Sequence, residues 1–401
     1  GDGQLRVVPA DQVARAEREA GADASRVATT LATDYLVQGT FAVIDGSPTR
    51  AVRIDVRVQR PSQDPIAVSS VAEEAQVFST VAEAGRQLRL QLGLKESPVD
   101  TTAGARAAFP QSLEANRLYA EGTARLRRLD AVDARDLLQR AAALEPKSPL
   151  IQMALASAWT TLGYDARAEA AARQAFESST ALNREDRLNV EGRLHEATRQ
   201  WPKAVETYRT LWAFFSDNVE YGLRLASAQT SGGMGKDALA TVDTMRGLPA
   251  PQSADPRIDL AEAQAATTLA DYARELDALR RTLQSAEKSG SRQLMARARL
   301  LEGRSYFSQG QPGPAEKAIE ASRVLFEEAG DRAGLASALN SLATVLGDRE
   351  GRVRVQGLYE ESLAISSEIG DRRSMSAALN NLGIMFKDER RFVEARQAHE
   401  R

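Results

Sequence analysis

Three asparagines, Asn189, Asn340 and Asn380, each stand three residues ahead of a small residue, at Gly192, Ala343 and Gly383. Cations fall in the same frame at Arg193, Arg304 and Lys387. A carboxamide donates and accepts hydrogen bonds at once, so a row of asparagines on one side of a scaffold can hold an extended peptide backbone whatever its side chains. The alternative chemistry is internal, with Asn340 and Asn380 bonding neighbouring helices, as buried amides ordinarily do. Both readings require helices that turn this spacing to one face.

Catalytic chemistry finds no such support. The absence of cysteine excludes disulfides, thiolate metal sites and cysteine nucleophiles together. His195 and His399 are the only histidines, far apart, and lack the partners of a metal site or a triad. SGGMGKDA at 231–238 places glycines before Lys236, but Thr230 occupies the first glycine position of a phosphate loop and Asp237 its magnesium-binding hydroxyl position. A turn between helices is the expected reading. Trp159, Trp201 and Trp212 could suggest a ligand cage, but Trp159 falls on a packing position and reads as core. No catalytic residue, cofactor or metal is therefore expected.

The composition then says what could position the asparagines. In 401 residues alanine, leucine, arginine and glutamate dominate, with 5% aromatics and 43% hydrophobics, a balance suited to many small helix–helix contacts. The length asks for several domains or an array of repeats. A net charge of -3 arises from 52 basic and 55 acidic residues interspersed along the chain, so nothing steers nucleic acid or anionic lipid. With only seven lysines, arginine carries nearly all the positive charge, a usage typical of a GC-rich bacterial genome. No apolar run reaches membrane-spanning length, no signal peptide is visible, and an opening of GDGQLRVVPA implies that Gly1 is not the natural start. Localisation stays open, cytoplasmic or extracytoplasmic.

Residues 1–97 read as a small α/β module. QLRVV predicts a strand, PADQVARAEREA and SRVATTLA predict helices, and in RIDVRV the residues Val52, Ile54, Val56 and Val58 face away from Arg53, Asp55, Arg57 and Gln59. Asp45-Gly46 supplies hairpin turn chemistry, PIAVSSVA a third strand, and 74–92 a helix. A linker at 98–111 follows.

From Ser112 onward, small residues recur at fixed intervals. Gly122, Ala134, Leu138, Ala141 and Pro146 fall at positions 8, 20, 24, 27 and 32 of one unit, and Leu155, Ala156, Trp159, Gly163, Ala168 and Ala175 at 7, 8, 11, 15, 20 and 27 of the next. Gly192, Ala204 and Tyr208 continue the frame, then Leu225, Ala226, Gly233 and Ala238. Four units thus span 112–250. A fifth at 251–290 is degenerate, because Glu275 stands where alanine is expected. Residues 291–401 hold three forty-residue units, the last incomplete and without a capping helix. EEAGDRAGLASALNSL at 327–342 and SEIGDRRSMSAALNNL at 367–382 agree at about half of their positions.

This pattern resembles the tetratricopeptide repeat, a pair of antiparallel helices. The resemblance implies a mainly α, right-handed superhelical solenoid whose first helices line a concave groove with positions 5, 9 and 12 inward. Asn189, Asn340 and Asn380 then stand at position 5, Arg193 and Arg304 at 9, and Lys387 at 12. In peptide-binding members of the repeat family, asparagines at position 5 clamp the ligand backbone. The leading module is similar to the N-terminal domain of the TolB translocation protein, from which it departs by lacking the strand and helix that precede QLRVVP. It is expected to be truncated there, with an unpaired sheet edge.

The stretch YRTLWAFFSDNVEYGLRLASAQTSGGMGKDALATVDTMRGLP with DPRIDLAEA, joined to the α/β module, resembles the non-catalytic region of large bacterial serine/threonine protein kinases. Similar modules accompany winged-helix regulators and class III nucleotide cyclases. No glycine-rich loop, VAIK, HRD or DFG motif occurs, so phosphoryl transfer does not belong to these residues. The resemblance implies a sensor or scaffold with a protein or peptide in its groove, compatible with a homo-oligomer.

Overall fold

The computed structural model describes residues 8, 13, 16, 23–31, 33–44, 51–60, 64–73, 76–94, 110–127, 130–250, 252–347 and 351–400. The chain divides into two compact units, residues 1–111 grouped with the short segments 181–183 and 248–253, and the remainder from Ser112.

The first unit contains helix α1 (Ala24–Thr30), strands β1 (Leu36–Ile44), β2 (Ala51–Gln59) and β3 (Ile66–Glu73), and helix α2 (Val77–Gln91). The strands form an antiparallel sheet in the order β1-β2-β3, with Val56 facing Gly39 on one side and Val68 on the other. Alternation in β2 buries Val52, Ile54 and Val58 and exposes Arg53, Arg57 and Gln59. Helix α2 seats Ala84 and Leu88 on Val58 and Val68. Val37, Phe41 and Val43 lie opposite Val58, Ile54 and Val52 but remain exposed, and among the described residues β1 pairs with β2 alone. The QLRVV strand and the Asp45-Gly46 turn lie outside the described residues.

Among the described residues the second unit is helical, in eight successive pairs: α3 (Leu113–Arg127) and α4 (Ala131–Leu144), α5 (Pro149–Thr161) and α6 (Asp165–Glu177), α7 (Arg184–Ala197) and α8 (Trp201–Phe214), α9 (Val219–Ser231) and α10 (Gly235–Arg246), α11 (Pro256–Thr268) and α12 (Tyr272–Ser289), α13 (Arg292–Ser308) and α14 (Pro312–Glu328), α15 (Arg332–Leu346) and α16 (Arg352–Ile369), and α17 (Arg372–Asp388) and α18 (Phe392–Glu400). Within each pair the two helices pack together, and first helices also touch between α3 and α5, α5 and α7, α9 and α11, α13 and α15, and α15 and α17.

Close approach explains the glycines. A Cβ on Gly122 would meet Leu138 Cγ at 2.7 Å, one on Gly192 would meet Tyr208 Cε1 at 2.5 Å, one on Gly303 would meet Ile319 Cγ1 at 2.4 Å, and one on Gly383 would meet His399 Nε2 at 2.5 Å. In every case the neighbour lies sixteen residues on, in the second helix of the same pair. Trp159 is buried against Ala134, Leu138 and Ala168, as core.

The copied stretch has a local cause. Gly330 and Gly370 take left-handed conformations that end α14 and α16, at φ of 67° and 69°. The aspartate that follows caps the next helix, with Gly334 N donating to Asp331 Oδ1 at 2.8 Å, and Arg373 N and Ser374 N to Asp371 Oδ1 at 3.1 and 3.2 Å. Tertiary bonds repeat in step: Ser322 Oγ donates to the Ala296 carbonyl and Ser362 Oγ to the Ala336 carbonyl, both at 2.7 Å.

The pair with the weakest repeat signature is seated by polar contacts. Arg246, Arg274 and Arg281 all bond Glu262, and Arg246 and Arg281 also bond Asp259. Glu275 is buried where the pattern wanted alanine, and it accepts from Thr267 Oγ1 at 2.9 Å and Ser305 Oγ at 3.0 Å. The serine belongs to the next pair, so the larger side chain still joins one repeat to another.

Two outcomes follow from this packing. Gly303→Ala is expected to lower stability by about 1–3 kcal/mol through overpacking, since the added methyl would meet Ile319 and the fixed Ala315 carbonyl. Gly357→Ala, on α16 with open space around it, should instead gain about 0.5–1 kcal/mol in helix propensity. Urea midpoints of the two variants moving in the same direction would contradict this account. Burial also raises the Glu275 carboxyl above the ordinary glutamate range. The folded chain then holds this proton to higher pH than the unfolded chain, so stability declines as pH rises through the raised pKa. Glu275→Gln should flatten that decline in urea midpoints followed from acid to neutral pH, and an unchanged slope would assign it elsewhere.

Candidate functional site

The asparagines and cations read from the sequence lie on first helices, and the structure sorts them into two groups. On α7, Asn189 Oδ1 accepts from Arg224 Nη1 of α9 at 2.6 Å, and Arg193 is paired with Glu196 one turn along its own helix. Burial works against the charge of Arg224, but Tyr208, Glu196 and Glu220 outweigh it and raise its pKa. Burial likewise raises the Tyr208 hydroxyl, and with a bond of 2.6 Å to Glu185 it raises Tyr221. Asn189 and Arg193 therefore belong to a dense internal network, in which Arg193 Nε and the Tyr208 hydroxyl are buried without a hydrogen-bond partner among the described residues.

The second group spans α13, α15 and α17. Arg304 extends from α13 to α15, donating through Nε to Ser341 Oγ at 3.1 Å and through Nη2 to Ser337 Oγ at 2.9 Å. Among the described residues no carboxylate bonds its guanidinium, and burial lowers its pKa without an acidic neighbour to offset it. The residue is nevertheless solvent-exposed by surface area. A side chain walled in by protein yet open to water on one side is what a concave surface produces. Asn340 Oδ1 accepts from Asn381 Nδ2 at 3.0 Å, leaving the Asn340 amide nitrogen with no hydrogen bond among the described residues. Asn380 and Lys387 are exposed on α17, seven residues apart, and their side chains make no hydrogen bond or ion pair there. Burial also lowers the pKa of Arg297 on α13, with Asp331 opposing the shift.

Position 6 of the repeat is what the sequence reading missed. Arg224 and Asn381 both occupy it, and each bonds the position-5 asparagine of the preceding first helix. Reading position 6 of every first helix beside position 5 would have found both, because adjacent first helices run side by side. His195 lies 3.7 Å from Glu191, and His399 packs beneath Gly383 at the other end of the array. Among the described residues no three His, Cys, Asp or Glu side chains gather closely enough to hold a metal ion, and no helix is long and apolar enough to cross a membrane.

No family model matches the chain, and no curated protein matches it. Similar solved structures include proteins described as carrying tetratricopeptide repeats. A signal transduction ATPase with numerous domains, carrying a tetratricopeptide repeat sensor, from Pyrococcus horikoshii is 12% identical over 81% of this chain and 48% of its own, with a TM-score of 0.46. A Rap protein complexed with competence and sporulation factor is 12% identical over 72% of this chain and 96% of its own, with a TM-score of 0.45. A tetratricopeptide repeat protein from Parabacteroides merdae is 15% identical over 67% of this chain and 100% of its own, with a TM-score of 0.42. The array is a tetratricopeptide-type helical solenoid. Its eight pairs present first helices side by side, and the Arg304 group occupies three successive ones.

The two groups should separate under mutation. Asn189→Ala removes the acceptor of an enclosed guanidinium and is expected to cost about 1–3 kcal/mol of stability. Asn380→Ala should stay within about 0.5 kcal/mol of the parent chain, as surface substitutions usually do. Equal losses in urea unfolding would show that Asn380 is structural as well.

Proposed function

We propose that this chain is a non-catalytic protein- or peptide-binding region, acting as sensor or scaffold in a bacterial signalling protein, and that an extended polypeptide lies along the first helices α13, α15 and α17. The observation that carries the reading is unused hydrogen-bonding capacity on this face. The Asn340 amide nitrogen, the whole Asn380 carboxamide and the Lys387 ammonium make no bonds among the described residues, while Arg304 is held by two neutral hydroxyls. Asn340 can donate to a backbone carbonyl, Asn380 can donate and accept, and Arg304 can bond a carbonyl or a carboxylate of the ligand. Asn189 and Arg193 act in this reading as the rigid floor of a neighbouring stretch of groove rather than as ligand contacts. Occupancy would alter the curvature of the stacked pairs, because every pair is mechanically joined to the next, and so signal to an attached domain.

The parent is read as a serine/threonine protein kinase whose catalytic domain lies outside these residues. Support comes from the resemblance of the α/β module and of the stretches 208–249 and 255–263 to such regions. The full-length reading frame tests it, since a winged helix or a class III cyclase domain upstream would replace the kinase.

Peptide binding is testable with a displayed library of random decapeptides selected on the whole chain. Enriched peptides, measured by fluorescence anisotropy, should bind Arg304→Ala and the double variant Asn340→Ala/Asn380→Ala at least about tenfold more weakly, with helical content unchanged by circular dichroism. Enriched peptides that bind both variants like the parent chain would place the ligand elsewhere, and a library that yields no binder would remove the peptide reading.

A further inference from the structure

Helices far apart in sequence meet at a seam within the array. Arg373, at the start of α17, donates through its backbone N to the Leu162 carbonyl at 3.4 Å and through Nη2 to the Thr160 carbonyl at 3.1 Å. In return Arg135 of α4, stacked on Trp159 at 5.9 Å, donates through Nη1 to the Ile369 carbonyl at 2.8 Å. Both arginines thus serve carbonyls at the C-terminal ends of helices, α5 and α16, where a cation is favoured. The backbones come close enough that a Cβ on Gly163 would lie 2.6 Å from Arg373 N, and the Tyr164 side chain closes on the other side of the seam, its Oη 2.5 Å from where a Cβ on Gly370 would lie.

Beside this seam opens a cleft of about 410 Å³, within the range of small-molecule sites. Its charged and polar walls are Asp165, Arg199, Arg372, Arg373 and Ser376. Asp165 is already paired with Arg199. Arg373 has only neutral carbonyls, and Arg372 makes no side-chain hydrogen bond or ion pair among the described residues. Arg372 and Arg373 are moreover the first two residues of α17, at the helix end where the dipole is positive and a cation is disfavoured. The first two residues of α6, Asp165 and Ala166, bring a second positive helix end to the same cleft. Three guanidinium groups and the N-terminal end of α6 therefore line one cleft beside a single exposed carboxylate that is already engaged, while the α17 end is capped by the buried Asp371. Arg199 is itself held at φ 54°, a conformation uncommon outside glycine.

We infer that this cleft binds a phosphate-class oxyanion, and that the bound anion fastens the early repeats to the last ones across the seam. A single carboxylate offers two oxygens to one guanidinium fork, whereas a phosphate group carries enough acceptors for forks arriving from the α7–α8 turn and from α17 together. Without the anion, repulsion among the cations works against the two arginine–carbonyl clasps. Binding and closure are thereby coupled, and each strengthens the other by the same factor. The inference does not depend on the peptide groove.

Because the chain has no cysteine, Ala170→Cys and Arg396→Cys can report on the seam by double electron–electron resonance. Inorganic phosphate should narrow the label distances saturably to one short population, and sodium chloride at equal ionic strength should not. Glycerol 2-phosphate in place of phosphate separates two sources of the same group: tighter binding of the ester assigns phosphorylated small molecules, and tighter binding of phosphate assigns the free anion. Arg372→Ala should weaken the response at least about tenfold. Ser376→Asp, which places a carboxylate in the cleft, should close the seam without phosphate and abolish its effect. The inference is overturned if distances follow ionic strength alone, if Arg372→Ala responds like the parent chain, or if Ser376→Asp leaves the phosphate response intact.

Discussion

The array depends on one steric constraint, that the two helices of a pair approach at position 8 too closely for any but a small residue, and in four pairs too closely for any side chain. Gly122, Gly192, Gly303 and Gly383 each lie directly under a large residue sixteen positions on, Leu138, Tyr208, Ile319 and His399. A helix pair locked at this distance is a rigid plate, and a plate that cannot bury its remaining apolar face alone must stack on the next one. Inside the plates, serine bonds at a spacing of forty residues, from Ser322 to Ala296 within α13–α14 and from Ser362 to Ala336 within α15–α16, fasten the two helices in the same way twice. The duplicated Gly-Asp turn delivers the next plate at the correct angle, because one residue ends a helix in a left-handed conformation and the other caps its successor.

Stacking places first helices side by side, and this adjacency decides what each polar residue can do. Where two first helices carry complementary groups, as Asn189 and Arg224 do, the groups satisfy one another and stiffen the floor. Where they do not, capacity remains. Arg304 is the clearest instance, a cation open to water on one side that has serine hydroxyls as its only hydrogen-bond partners among the described residues. In a chain where Arg246, Arg257, Arg274 and Arg281 all find carboxylates, the lack of one at Arg304 is informative. Retaining a poorly compensated charge costs stability, and a ligand that supplies the missing partner recovers it.

A stacked array that curves far enough brings its own distant members together, and the seam between α5 and α17 is that event. Its contacts use groups that any helix possesses, carbonyls at a C-terminus and amides at an N-terminus, so no special motif announces them. The charges gathered there are exposed surface arginines when each helix is taken singly. They become a concentrated positive cleft only when pairs from opposite ends of the array share it.

The local structure was legible before any coordinates, and for a simple reason. Small residues at positions 8, 20 and 27, the aspartate caps and the alternation of Val52, Ile54 and Val58 are short-range facts, set by sterics within a helix pair or across a strand. Even the candidate asparagines could be placed on first helices this way. What they bond could not be read, because Arg224 lies 35 residues from Asn189 and Asn381 lies 41 from Asn340, and only stacking sets those pairs face to face. Glu275 shows the same limit, a mismatch to the repeat code that becomes a buried link once Ser305 of the next pair arrives beside it. The sequence alone thus determined the plates and their order. Their curvature decided which polar groups are spent within the protein, which remain for a partner, and which arginines meet across more than two hundred residues, since curvature sums small rotations over many interfaces and no single segment encodes it.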